Sequence, residues 1–263
     1  MSAMAQASGY RERNSTADRA LNILQMFSEE RPELSAIEVS EGLGTARSTA
    51  YRYLQTLVSA GFLTDTGRGS FRLGLRILDL ARIARRGLGL SEVSIPAMRA
   101  LAERFHQTVL LTRLMGDSVI CLEREEAREQ YVRLSYERGS VLNINAGASA
   151  LVLLAWLPEA EVRTILAGTQ LKRFTPATLV EPDEIVARLG RIREQGYATT
   201  MGEVDPTAVG IAAPLFGSGG AVVAAVSIVL IRSLVSDAEL QTIVAAVVQT
   251  AEDLSAQLAT LEI

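Results

Sequence analysis

TARSTAYRYLQTLVSAGFLTDTGRGSFRL, residues 45–73, joins a polar, basic helix to a glycine-tipped hairpin. Thr45 is placed to cap a helix in which Ala50, Leu54, Leu57 and Val58 share the inward face. Gly61 stands where a left-handed residue closes such a helix. The remaining positions near the helix start read Arg47, Ser48, Thr49, Tyr51, Arg52 and Gln55. These side chains donate to phosphates or read base edges, and no carboxylate lies among them. Phe62-Leu63-Thr64 and Ser70-Phe71-Arg72-Leu73 then read as two short strands around the turn Thr66-Gly67-Arg68-Gly69, a wing tipped by Arg68.

What precedes this stretch completes the pattern. Ala17, Leu21, Leu24 and Phe27 recur at helical spacing and predict a helix from Ser15 or Thr16 that stops at Arg31-Pro32. Ser35 with Glu38 three positions on is a capping box opening a short second helix, which Gly42-Leu43-Gly44 breaks. A short helix, a glycine-bearing turn, a basic helix and an arginine-tipped hairpin make a winged helix-turn-helix, whose second helix enters the major groove of a duplex. The chain of 263 residues carries a net charge of −4. Up to Leu90, however, 12 arginines face 9 acidic residues. Between Leu43 and Arg72 only Asp65 opposes Arg47, Arg52, Arg68 and Arg72. Such a local field can grip a polyanion although the whole is acidic. The plainer alternative is a solvated helix face. DNA binding predicts that the four guanidinium groups share one surface.

The same composition excludes much. One cysteine, Cys121, and one histidine, His106, leave no disulfide framework, no multi-thiolate metal site and no histidine-rich centre, so neither a metal nor a cofactor is expected. Cys121 reads as a buried, inert thiol and His106 as a helix-end residue. No run of 18 apolar residues predicts a membrane span. Residues 1–14 lack the apolar core of a secretory signal and read as a disordered leader. The expected domains are the winged helix over 15–73, a linker helix over 74–93 and a larger domain over 94–263.

In that larger part Leu88 to Ser94 reads as a hinge and Pro96 as the first turn of a helix carrying Leu101 and Phe105 inward. Thr108–Met115 and Ser118–Glu123 form a hairpin around Gly116-Asp117, and Gln130–Tyr136 is a third strand, with Tyr131 and Tyr136 as packing or rim residues. Asp117 and Glu123 to Glu126 read as a solvated acidic hairpin end. A helix starts after Gly147 and carries Trp156 into the core, and another runs over Glu184–Gln195 to Gly196. Ile211–Phe216 and Ala221–Leu230 are strands around Gly217-Ser218-Gly219-Gly220. Ser236 with Glu239 caps a long last helix. Strands mixed with helices, several in hairpins, indicate an α+β fold.

In order and spacing, ADRALNILQMF (17–27), RSTAYRYLQTLVSAGFL (47–63), FRLGLRILDLA (71–81), FTPATL (174–179), REQGYATTMGE (193–203) and VGIAAPLF (209–216) followed by AVVAAVSI (221–228) resemble the IclR family of bacterial transcriptional regulators. The resemblance implies a cytoplasmic regulator with an N-terminal winged helix-turn-helix, a linker helix and a C-terminal GAF- or profilin-like mixed α/β effector-binding domain. It implies a homodimer, in some members a homotetramer, on palindromic double-stranded operator DNA, and a small-molecule effector, often an organic or aromatic acid. Carried onto this sequence, the effector pocket falls at Asn145, Gly147, Ala148, Ser149, Thr200, Glu203, Gly210, Ser227 and Val229.

The turn into the helix after Gly147 suits an anion, because free amides at a helix start favour a carboxylate. The family's usual Gly-Lys-Ala opening of that helix is here Ala150-Leu151-Val152, and Gly210 and Val229 bring no polar group, which argues for a larger or greasier effector than a two- or three-carbon acid. Glu203 either faces a cationic or hydroxylated ligand or satisfies backbone donors. The competing reading is a small-molecule enzyme in the C-terminal domain with the winged helix as an interaction module. It lacks a phosphate loop, a metal set and a nucleophile elbow. Ser149 is a nucleophile only if His106 comes near.

Overall fold

The computed structural model describes residues 15–28, 30–87, 89–128 and 136–263, in two compact units divided between Ala84 and Arg85. The expected leader over 1–14, most of the expected strand Gln130–Tyr136 with its Tyr131, and Leu88 of the expected hinge lie outside the described residues.

The first unit runs α1 (Ser15–Gln25), β1 (Glu33–Ser35), α2 (Ala36–Gly42), α3 (Arg47–Ser59), β2 (Leu63–Asp65) and β3 (Ser70–Leu73). Ile23, Leu34, Val39, Ala50, Leu54, Leu57, Leu63 and Phe71 form its core. Leu21, expected inward, is 58% exposed. The buried stripe of α1 is centred on Ile23, with Ala20, Leu24 and Phe27 beside it, and Leu21 lies about 100° around the helix from Ala20. The capping box is present: Ser35 Oγ accepts from the Glu38 amide, and the Glu38 carboxylate accepts from the Ser35 amide. Thr45, by contrast, does not cap α3. The N-cap is Ala46, because the Thr45 amide is committed to the Ser40 carbonyl at 3.0 Å, which holds Thr45 in the turn one residue early. Strand β1 was not expected after Pro32. It pairs with β3, Leu34 opposite Phe71, and so adds a third strand to the wing sheet, order β1-β3-β2.

Helix α4 (Arg76–Gly87) spans the boundary, and α5 (Leu90–Phe105) opens the second unit from Gly89 at φ +66°. The expected linker over 74–93 therefore holds a helix that ends at Gly87 and the first turn of α5, so that the stretch read as a hinge is helical from Leu90. Pro96 lies inside α5, not in its first turn. Burial decides this: Leu90, Ser94, Met98, Leu101 and Ala102 line one inward face, drawing two earlier turns into the helix. Pro96 is on the exposed side, where it lacks the amide that would otherwise bond the Glu92 carbonyl.

The chain continues through β4 (Thr108–Met115), β5 (Ser118–Glu125), β6 (Val141–Leu142), α6 (Ala148–Ala155), α7 (Glu159–Gly168), α8 (Pro182–Gln195), β7 (Ala198–Met201), β8 (Ala208–Phe216), β9 (Val222–Ile231) and α9 (Asp237–Thr260). The strands form one antiparallel sheet, order β6-β5-β4-β9-β8-β7. Side chains alternate across it, as a strand requires. Val209, Ile211, Ala213 and Leu215 of β8 and Ala224, Val226, Ile228 and Leu230 of β9 meet α5 and α9. Ala212 and Ala225 face the layer of α6, α7 and α8. The fold is α+β, with a helical layer on each side of the sheet. The acidic hairpin end is not simply solvated. Glu123 is buried and paired with Arg138 at 2.7 Å, Glu125 pairs with Arg99 and Arg138, and Glu126 with Arg124. These pairs tie residues 137–140 to β5.

Candidate functional site

In the first unit α3 exposes Arg47, Ser48, Tyr51 and Arg52, with Gln55 half-buried, on the side away from Ala50, Leu54 and Leu57. Thr49 lies on the flank that carries Tyr53, whose hydroxyl accepts from Arg19 of α1. The end of α3 is closed by Gly61 at φ +77°. The Gly61 amide donates to Val58 and the Phe62 amide to Leu57, both at 2.9 Å, the paired bonds of a Schellman end. That fixes where the helix stops and the wing begins. Tyr51 meets Phe71 edge to face at 6.2 Å, packing α3 against the sheet of the wing.

The wing turn is held by Asp65, whose carboxylate accepts from the Gly67 amide at 2.8 Å, and by the Thr66 amide bonding the Ser70 carbonyl. Arg68 projects at its exposed tip. Among the described residues none of Arg47, Arg52, Arg68 and Arg72 joins an ion pair. The four do not share one surface, however. Phe71 faces α3, so Arg72 next to it points from the opposite face of the sheet, in register with Glu33 and Thr64. The surface near α3 rests on Arg47 and Arg52, with Arg68 at the wing tip.

The second unit contains a cavity of about 80 Å³ between the sheet and α6. Gly147, Ala148, Ser149, Thr200, Glu203, Gly210, Ser227 and Val229 line it. Asn145 does not. Its amide nitrogen donates to the carbonyls of Lys172 at 3.1 Å and Leu179 at 2.8 Å, so it fastens the segment behind the wall. Ala146, inside the expected segment 145–149, also lines it; sequence reasoning missed Leu110, Leu142, Asn143, Val204, Asp205 and Ala208, and placed Tyr136 only as a packing or rim residue, and all of these line the cavity. Asn143 and Asp205 each stand two residues from an expected site residue, and that spacing was the one signal for them.

The polar groups have defined partners. Ser149 donates to Ser227 at 2.8 Å. Glu203 accepts the Gly147 amide at 3.2 Å and lies 3.4 Å from Arg188 of α8, which fits the reading that it satisfies backbone donors. Burial pushes its carboxyl up, against the pull of Arg188 and the Gly147 amide. Asp205 is held below the usual carboxylate range by the Thr207 hydroxyl and amide, whereas burial and then the Asp205 charge push Tyr136 up. The helix start is thus not wholly free, since Gly147 already serves Glu203. The amides of Ala148 to Ala150 have no side-chain cap.

The segment FTPATL acts as a buckle on this wall. Thr178 Oγ1 accepts from the amides of Phe174 and Thr175 and donates to the Glu203 carbonyl at 2.6 Å, and Thr175 donates to the Gly202 carbonyl at 2.5 Å. Thr178→Val keeps the shape but leaves three buried polar groups without that partner. It is expected to destabilise the second unit by about 2 kcal/mol, read as a lowered urea midpoint, with Thr178→Ser restoring most of it.

Among the described residues no constellation for covalent chemistry is assembled around Ser149, whose hydroxyl bonds Ser227, while His106 sits at the end of α5 in the left-handed conformation. Cys121 is buried, and burial pushes its thiol up to about 11, so it stays protonated at neutral pH. Among the described residues no cluster of metal-binding side chains occurs, and no helix is long and apolar enough to cross a membrane.

Comparison with known proteins agrees with this division of labour. Residues 16–67 match the IclR helix-turn-helix domain, and residues 84–256 match the C-terminal domain of bacterial IclR transcriptional regulators. The HTH-type transcriptional regulator XynR of Escherichia coli is 32% identical over 227 residues, 86% of this chain and 89% of that protein. The crystal structure of an IclR transcriptional regulator from Silicibacter sp. TM1040 superposes with a TM-score of 0.83 at 27% identity, covering 93% of this chain and 96% of the other. An IclR homologue from Microbacterium hydrocarbonoxydans, solved in complex with 4-hydroxybenzoate, gives a TM-score of 0.78 at 26% identity over 93% of this chain and 99% of that one.

Proposed function

The chain belongs to the IclR family of bacterial transcriptional regulators, and from that premise we propose that it is a homodimeric regulator which grips a palindromic operator of a catabolic or metabolic operon through α3 and the wing and answers to a small organic acid held under α6. The observation that carries the reading is the pairing of exposed arginines outside any ion pair on α3 and the wing of one unit with a mainly apolar cavity edged by a few buried polar groups in the other. Arg47, Arg52 and Arg68 neutralise phosphates. Ser48, Thr49, Tyr51 and Gln55 set register or read base edges, while Thr45 in the preceding turn and Arg72 on the outer sheet face contact the flanking backbone. The 4-hydroxybenzoate held by the Microbacterium homologue supports an acid, and an aromatic one is compatible with the apolar part of the lining formed by Leu110, Leu142 and Val229.

Leu75 and Leu78 at the start of α4 are 79% and 64% exposed, and Ile83 further along is 50% exposed. Apolar side chains grouped in this way mark an interaction surface, and a second copy of the chain is the occupant a palindromic site calls for. Two recognition helices then address half-sites about one helical turn apart or a multiple of it. Pairing of dimers into a tetramer is compatible with this arrangement. The effector shifts the population between two dimer geometries. A DNA-binding regulator of this kind works in the cytoplasm.

Fluorescence anisotropy with DNA from upstream of its own gene tests the reading. Arg52→Ala is expected to weaken binding and to reduce the slope of log K against log salt by about one if it meets a phosphate. If Arg52 instead reads a guanine, the loss is about 1–3 kcal/mol and falls on one base position. An unchanged affinity and slope would remove α3 from the interface.

A further inference from the structure

The cavity under α6 places a helix start beside a buried carboxylate. The amides of Ala148 to Ala150 have no side-chain cap, a helix start of the kind that favours an anion, and a second observation points to a ligand in the same place. Thr200 is only 4% exposed and borders the cavity, yet its hydroxyl has no hydrogen-bond partner among the described residues. Ser149 and Ser227, by contrast, satisfy one another. This corner is already claimed in part, because Glu203, 5% exposed, holds the Gly147 amide with its Oε2.

Among the described residues the charged and titratable groups facing Glu203 are few. Arg188 of α8 lies 3.4 Å from Oε1 and also donates to the Thr199 carbonyl. Asp205 follows two residues on, and Tyr136 closes the cavity with it. The strands β7, β8 and β9 present only uncharged Thr200, Gly210, Ser227 and Val229. The 174–178 buckle holds the Glu203 main chain, not its carboxylate. Among the described residues one guanidinium therefore serves a corner in which an acidic effector would place a second carboxylate.

We propose that Glu203 is the proton acceptor of effector binding: a carboxylate seated on the α6 amides forces one carboxyl group of the pair to be protonated, so each anion enters with one proton. This rests on the acid reading of the effector given above. Two carboxylates sharing a water-poor site do not both stay ionised when one cation faces them. Burial has already moved Glu203 toward the protonated form. The proton comes from solvent, Glu203 takes it, and the Gly147 amide released or shared by Glu203 passes to the ligand.

Calorimetric titration of the full chain with formate and with 4-hydroxybenzoate, between pH 6 and 8 in buffers of different ionisation heat, counts the protons. The expected result is about one proton taken up per anion and an apparent affinity that falls about tenfold per pH unit. Glu203→Gln is expected to abolish both effects, while Asp117→Asn, in the β4–β5 turn away from the cavity, keeps them. Anion binding without proton uptake in the unmodified protein overturns the proposal and leaves the acid reading standing, and this measurement decides even if Glu203→Gln fails to fold. Loss of uptake in Asp205→Asn with retention in Glu203→Gln overturns it too. Failure of both anions to bind at any pH overturns the acid reading and the proposal together.

Discussion

Gly74→Ala is expected to abolish operator binding while leaving ligand binding in the second unit intact. A Cβ at position 74 would lie 2.2 Å from the Gly61 carbonyl oxygen and 3.0 Å from the carbonyl carbons of Gly61 and Phe62. All three are main-chain atoms, so no rotamer change relieves the clash. The same crossing is stitched by the Gly74 amide to the Phe62 carbonyl at 2.7 Å and the Arg76 amide to the Gly61 carbonyl at 3.3 Å. Gly61 cannot retreat, because it closes α3 in the left-handed conformation. The wing must therefore separate from the end of the recognition helix. Overpacking of this kind costs about 1–3 kcal/mol or more, a large share of the stability of a unit this small. In a thermal scan the transition of the first unit is expected to fall by about 10 °C, with DNA affinity lost at the assay temperature. Gly67→Ala is the control: a Cβ there meets nothing within 4 Å, and only its positive φ is penalised. An unshifted first transition in Gly74→Ala would show that the crossing is looser than described.

Local chemistry made most of the fold legible. The capping boxes at Ser35–Glu38 and Ser236–Glu239, the left-handed glycines at 61 and 196 and the hairpin turns at 67–69, 116 and 217–220 each arise from a few neighbouring residues. What escaped depended on partners distant in sequence. Strand β1 has three residues and exists because β3 offers an edge. The start of α5 depends on a buried face that only the completed core supplies, which outweighs Pro96. Leu21 and Ile23 compete for one inward face, and periodicity alone leaves the helix free to rotate by one residue. Ion pairs such as Glu123 with Arg138 cross between segments and are invisible to a scan for charge runs.

The site divided in the same way. Residues placed by the family resemblance sit where strands and a helix start fix the backbone, and those positions line the cavity. Asn145 resembles its neighbours in sequence but turns outward to hold Lys172 and Leu179. Tyr136 and Asp205 reach the cavity from loops, whose course is set by long-range packing and not by period. Arg72 is displaced by the two-residue period of β3: with Phe71 committed to the core, its neighbour must face the other way.

Gly210→Val is expected to silence the effector response without weakening operator binding. Gly210 stands on β8 between Thr200 of β7 and Val229 of β9, on the face beneath α6. A Cβ there would lie 2.9 Å from Thr200 Oγ1, 3.4 Å from the Ala148 Cβ and 3.6 Å from the Ala148 amide nitrogen. Thr200 can rotate its hydroxyl aside, and Gly210 has no left-handed φ to forbid a side chain. The sheet therefore accepts the residue, at an overpacking cost of about 1–3 kcal/mol to the second unit. The added methyl groups occupy the space in front of the α6 amides, where the ligand would sit. Loss of affinity is expected to be about 100-fold, equivalent to about 2.8 kcal/mol, with Gly210→Ala intermediate because its single carbon mainly crowds Thr200. Anisotropy on operator DNA, with and without whichever carboxylate of a panel shifts the unmodified protein, reads both quantities at once. If Gly210→Val still responds in full, the ligand lies elsewhere than under α6, since a side chain at this point stands directly against the Ala148 amide.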